Sequence, residues 1–157
     1  MIDWQWCRLH DLTTTQLYAV MAAREAVFVV EQRCAYQELD GLDFQSHHLI
    51  GWSASEVAAY LRVIEPGIRF VEPALGRVLT TQPYRRRGRG RQLMSTALRY
   101  IEQSYLERGV RISAQTYLDA FYRGFGFVPC SAQYLEEGIP HVEMLFSPTT
   151  EGDQSRP

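Results

Sequence analysis

The chain has 157 residues, 46% of them apolar and 22% charged, with a net charge of −2 at pH 7. This is material for one folded domain, burying about 70% of the surface its unfolded chain exposes. The acidic balance argues against a general nucleic-acid binder, whose footprint is a clear positive excess.

The opening MIDWQWCRLH has no apolar leader core, and no later run reaches the length of a membrane span, so a cytoplasmic chain without a membrane partner is expected. From Asp11, DLTTTQLYAVMAAREAVFVVEQ predicts a helix, with Thr13 to Thr15 as N-cap candidates and Leu17, Val20, Met21, Arg24 and Phe28 at helical spacing. HHLIGWSA and EVAAYLRVIEP read as two strands joined by a turn at Ser53–Glu56, the second ended by Pro66 and Gly67. ALGRVLTT (74–81) is a third strand. A helix from Arg89 to Arg108 follows, apolar along Leu93, Ala97, Leu98, Ile101 and Tyr105, and Gly109 stops it. VRISAQ then reads as a buried strand, LDAFYRGFG as a short helix, FVPC as a strand start and HVEMLF (141–146) as the last strand. The order defines a mixed α/β domain over residues 1–146, with a polar tail, 147–157, expected to be disordered. Strand–helix–strand is a parallel crossover, which makes the strands around residues 78 and 112 neighbours.

Charge is unevenly spread. Lysine is absent, so all 16 cationic side chains are arginine, planar forks suited to carboxylate or phosphate. Five of them, Arg85, Arg86, Arg87, Arg89 and Arg91, fall around Gly88 and Gly90 between a strand and a helix. A helix start carries unpaired N–H groups and a partial positive charge, and glycine lets a ligand approach the backbone. The loop therefore reads as a phosphate cradle, although it fits neither the lysine-bearing phosphate loop nor the dinucleotide fingerprint. The competing readings are a solvated charge run or a nucleic-acid patch; no aromatic platform interleaves the arginines to support the latter. Cys7, Cys34 and Cys130 lack metal-ligand spacing, and reduced structural thiols with no metal are expected.

Arg85-x-x-Gly88-x-Gly90 resembles the signature of the GCN5-related N-acetyltransferases (GNAT), and QTYLDAFYRGFGF (115–127), with Tyr122, Gly126 and Phe127, resembles that family's second motif. VFVVEQRCAYQELDGLD (27–43), HLIGW, GRV and GIPHVEM are similar to its ElaA group, so the resemblance spans residues 1–146. It implies a V-splayed mixed sheet of six to seven strands flanked by about four helices, with acetyl-CoA in the split as co-substrate. The pantetheine arm would pair with the main chain of Val78, Leu79 and Thr80. The pyrophosphate would meet the loop of Arg85, Arg86, Arg87, Gly88, Arg89, Gly90 and Arg91, and Gln115 would replace a cofactor-contacting asparagine. By the same resemblance, the N–H of Leu79 or Thr80 stabilises the oxyanion, Leu79 first, and Tyr122 protonates the leaving thiolate.

Acyl transfer to an amine also needs the ammonium deprotonated. His141 and His48 are the candidate bases, each set against a structural histidine or a water chain. Glu31, Tyr36, Asp40 and Asp43 are candidate acceptor contacts, or turn caps and core cover. Arg24 and Arg77 need anionic partners, with Glu31 or the aspartates expected. The reading is an N-acetyltransferase for a primary-amine acceptor, acting as a monomer or homodimer without nucleic acid. The alternatives are a degenerate acyl-CoA binder and a basic-loop nucleic-acid module.

Overall fold

A computed structural model of the chain describes residues 1–105 and 108–148. Positions 106 and 107 at the end of the expected long helix, and 149–157 of the expected tail, lie outside the described residues. Strands β1 (Asp3–Arg8), β2 (Ser46–Ser53), β3 (Glu56–Ile64), β4 (Ala74–Thr80), β5 (Val110–Gln115), β6 (Val128–Pro129), β7 (Tyr134–Glu136) and β8 (Ile139–Phe146) form one mixed sheet. Its order is β1-β2-β3-β4-β5-β8-β6, with β7 also on β8. The α-helices are α1 (Thr14–Arg24), α2 (Arg89–Ser104) and α3 (Asp119–Arg123), α1 running on as a π-helix over Glu25–Glu31.

The mixed α/β architecture agrees with the sequence reading, with two corrections. Among the described residues the sheet has eight strands where six to seven were expected, and three α-helices flank it where about four were expected. β1 was missed because DWQWCR is short and half polar. It forms by antiparallel pairing with β2, Trp4 and Trp6 packing toward α2. The β7–β8 hairpin was missed because it is three residues long, closed at Glu137 and Gly138, both at positive φ.

Thr13 starts α1 through a reciprocal cap: its Oγ1 accepts from the Gln16 N–H (3.2 Å) while Gln16 Oε1 accepts from the Thr13 N–H (3.0 Å). Gly109 ends the α2 connection at φ +69, where an added Cβ would collide with the Phe146 carbonyl, so glycine lets that turn lie on β8.

Two apolar layers sandwich the sheet. Leu93, Met94, Ala97 and Ile101 of α2 pack on Leu49, Leu61, Leu75 and Ile112. On the other face Val20 and Val27 pack on Ile50, Trp52, Tyr60 and Leu79. Each large side chain so buried stabilises by about 1.5–3 kcal/mol. β3, in the middle, is therefore apolar on both faces after its exposed first residue, Glu56, apart from the buried Arg62.

The expected parallel neighbours are β4 and β5, but only Ala74↔Arg111 and Leu75↔Ile112 join them. Beyond that point the two strands part. This opening positions everything that follows.

Candidate active site

The free edge of β4 can be read from its ladder. The Thr81 N–H donates to the Ala58 carbonyl (3.0 Å), while Ala59 faces Thr80 and Tyr60 faces Leu79. Antiparallel alternation then turns the N–H and C=O of Leu79 toward β3 and those of Val78 and Thr80 toward the split. Residues on β4 slip by one against β3 between Tyr60 and Arg62, and Arg77 takes a positive φ of 54° at this bulge. Of the two expected oxyanion donors, the Leu79 N–H is thus turned into the sheet and the Thr80 N–H toward the split.

Downstream, Arg85 folds back, its Nε donating to the Thr80 carbonyl (2.9 Å) and its Nη2 pairing with Glu31 (2.8 Å). Arg89 bonds Gln92 through Nη1 (2.7 Å), and its Nε is buried without a partner. Arg86, Arg87 and Arg91 are exposed, with no ion pair among the described residues. Gly88, at φ +70, is the N-cap of α2 and offers no capping side chain, so the first N–H groups of a sixteen-residue helix have no side-chain acceptor there. The loop is an electropositive, uncapped helix start at the end of the free edge.

One cavity of about 400 Å³ fills the split, lined by Gly76, Arg77 and Val78 on one wall and by Ser113, Ala114, Gln115 and Tyr122 on the other. The Tyr122 ring is buried edge-on to Phe121 (5.2 Å) and Phe127 (5.8 Å). Its hydroxyl has no partner among the described residues and is not a sealed orphan. Burial pushes its pKa up to about 12, so the phenol stays protonated at neutral pH.

Of the two candidate bases, the structure brings only His141 to this cavity. Its Nδ1–H donates to the Ile139 carbonyl (2.6 Å), which leaves Nε2 bare, 3.5 Å from Glu136 Oε2. Glu136 also accepts from Ser113 Oγ (3.1 Å) and from Arg69 Nη2 (3.2 Å). The sequence reading overlooked Glu136, Ser113 and Arg69. The Glu-Glu-Gly hairpin signal at 136–138 was the clue to the first.

His48 is sealed under α1 instead. Its Nε2–H donates to the Asp43 carbonyl (3.1 Å) and its Nδ1 accepts from the Tyr60 hydroxyl (2.7 Å), so both nitrogens are spoken for. Burial holds its pKa below the usual 6.5. The folded state thus binds fewer protons than the unfolded one below that value, and the stabilisation present above it is lost as the pH falls. His48→Gln is expected to flatten the dependence of stability on pH between about 7 and 5, measured by urea melts.

Tyr36 and Asp40 also line the cavity, whereas Glu31 and Asp43 do not. Asp43 belongs to a buried network in which three carboxylates face three guanidiniums. Arg24 pairs with Glu38 (2.8 Å) and Asp43 (2.6 Å), Arg62 with Asp40 (2.5 Å) and Asp43 (3.1 Å), and Arg77 with Glu38 (2.9 Å) and Asp40 (3.4 Å). The aspartates pair with both Arg24 and Arg77 as expected, and Glu38 rather than Glu31 is the glutamate the two share. Burial alone would raise the Asp40 carboxyl, but its hydrogen bonds to Arg62 hold it well below the usual carboxylate range. The network walls the α1 side of the cavity, and Tyr36 lies on the Arg77 guanidinium at 5.8 Å.

A splayed sheet, a free strand edge running into an uncapped helix, and a phenol in the intervening cavity define an acyltransferase of the GNAT class. The chain belongs to that family: the model of the acetyltransferase (GNAT) domain matches residues 11–147. Protein ElaA of Escherichia coli K12 is 39% identical over 146 residues, covering 92% of this chain and 95% of that protein. An acyl-CoA N-acyltransferase from Pseudomonas aeruginosa superposes with a TM-score of 0.89 at 42% identity, over 92% of this chain and 99% of that one. The E. coli ElaA crystal structure follows at 0.87 and 38%, with the same coverage. No helix among the described residues is long and apolar enough to cross a membrane.

Proposed function

We propose that the chain transfers the acetyl group of acetyl-CoA to a primary amine by direct attack of the amine on the thioester. The observation that carries this reading is the continuity of the free β4 edge with the uncapped start of α2, beside a cavity that holds Tyr122. In this reading the Val78 main chain and the Thr80 N–H pair with the pantetheine arm as an added strand, the Thr80 carbonyl being held by Arg85. Amides from Gly88 to Arg91, with Arg86, Arg87 and Arg91, take the pyrophosphate. Arg85 holds the loop closed instead. Gln115 lines the same cavity and contacts the acyl end.

His141 Nε2 takes one proton from the bound ammonium. The neutral nitrogen attacks the carbonyl carbon, the C–N bond forms, and the oxyanion meets a β4 amide. The C–S bond then breaks, Tyr122 protonates the thiolate, and the attacking nitrogen returns a proton to the phenolate. His141 releases its proton to solvent, so one amide, one thiol and one proton leave.

The test is calorimetric titration with coenzyme A, followed by thiol release over an amine panel. Gly90 discriminates within it. A Cβ there would sit 3.8 Å from Phe121, so Gly90→Ala fits without strain. Gly90→Glu places a carboxylate at the helix start and is expected to weaken coenzyme A binding at least about tenfold, about 1.4 kcal/mol. Equal affinity of the Glu, Ala and wild-type chains would count against the phosphate cradle.

A further inference from the structure

Two hydrogen-bond acceptors face each other inside the cavity. Glu136 Oε2 lies 3.5 Å from His141 Nε2, and the Nδ1–H bond to Ile139 leaves that nitrogen without a proton in the neutral ring. Such a pair is satisfied by a cationic donor placed between them, giving one N–H to the carboxylate and one to the imidazole. The other oxygen of Glu136 already has a cationic partner: Arg69, from the loop between β3 and β4, reaches across the mouth of the split at 3.2 Å. Both side chains of that ion pair are about two-fifths exposed, at 39% and 40%. Exposed pairs of this kind are weak, so an incoming cation can replace the arginine. The hairpin that carries Glu136 is strained at its tip, with Glu137 at φ +49, and that residue also lines the cavity. Local strain of this kind persists where the surroundings fix a functional group.

We infer that Glu136 is the seat of the acceptor's ammonium group and that the Arg69 guanidinium holds this seat until an acceptor displaces it. This deepens the acyltransferase reading and rests on it for the reaction, though not for the binding. The acceptor class is a primary amine that enters as its ammonium ion. The seat also places that ion beside the bare His141 Nε2, so recognition and deprotonation share one location. Glu136 acts as a positioning residue in the reaction, and Arg69 as an internal competitor.

Propylammonium is a suitable probe, with propanol as its uncharged counterpart, each titrated into the coenzyme A-loaded chain and followed by ligand-observed NMR. Arg69→Ala is expected to tighten propylammonium binding roughly two- to fivefold, the equivalent of one exposed ion pair. Glu136→Gln should weaken it at least about tenfold, Glu136→Asp should restore part of it, and propanol should not respond to any of the changes. In turnover, the KM for propylamine should follow these shifts in Arg69→Ala. Unchanged propylammonium affinity in Arg69→Ala, or wild-type affinity in Glu136→Gln, would overturn the seat, as would equal responses of amine and alcohol. Failure to bind coenzyme A would instead strike the acyltransferase reading, and the amine titration without coenzyme A would still decide the seat.

Discussion

Tyr122→Phe is expected to lower kcat by about 10²–10⁴ while KM for either substrate changes little, the loss typical of a missing general acid. Phenylalanine preserves the ring, and with it the edge-on contacts to Phe121 and Phe127 that fix the residue in the core. Only the hydroxyl goes, and no described residue depends on it for a hydrogen bond. Because burial keeps that phenol protonated up to about pH 12, its loss should depress the rate throughout the neutral range rather than shift one limb of the pH profile. Stopped-flow thiol release with matched thermal melts separates the two roles of the ring. A lower Tm with wild-type kcat would make Tyr122 a packing residue and remove it from the chemistry.

The second large effect is on stability. Arg24 is fully buried, and its guanidinium serves Glu38 and Asp43 together, with the Tyr60 hydroxyl at 3.4 Å. Burial alone would disfavour its charge; the hydrogen bonds to Glu38 more than compensate and lift its pKa above the ordinary arginine value. Arg24→Met fills much of the volume but leaves the buried Glu38 and Asp43 carboxylates without the guanidinium they share. Breaking a buried pair from one side costs roughly 3–5 kcal/mol, which corresponds to a Tm drop of roughly 6–20 °C for a chain of this size. Calorimetric melts at neutral pH check this. A Tm within a degree or two of wild type would mean that water reaches the network and that it contributes nothing to the fold.

How much of this was readable beforehand differs by element, for physical reasons. α2 was legible because its apolar stripe and glycine stop are local signals. The arginine–glycine loop between β4 and α2 stood out because its glycines and arginines are contiguous. The two histidines were not separable, since each is an imidazole in a strand and the sequence alone does not show what its face packs against. Their fates are decided by which face of the sheet each strand position presents: His48 shares its face with Ile50 and Trp52 beneath α1, whereas His141 meets the hairpin at the mouth of the cavity. The Leu79 and Thr80 amides were not separable for the same reason. Which N–H points outward depends on ladder phase and on a bulge at Arg77, a residue whose positive φ nothing in its side chain advertises. The partners of Arg24 and Arg77 came from a loop whose path is tertiary, so Glu38 was not distinguishable from Glu31.

The join between the half-sheets has a mechanical consequence. Two residue pairs stitch β4 to β5, so the β1–β4 and β5–β8 blocks meet through a narrow seam and otherwise through the helices that span them. An extended ligand arm hydrogen-bonded along Val78 and Thr80 would behave as a temporary ninth strand. It would lengthen the seam and bind the two blocks into one cooperative unit, and the amides of those two residues would exchange with deuterium only as fast as the ligand departs.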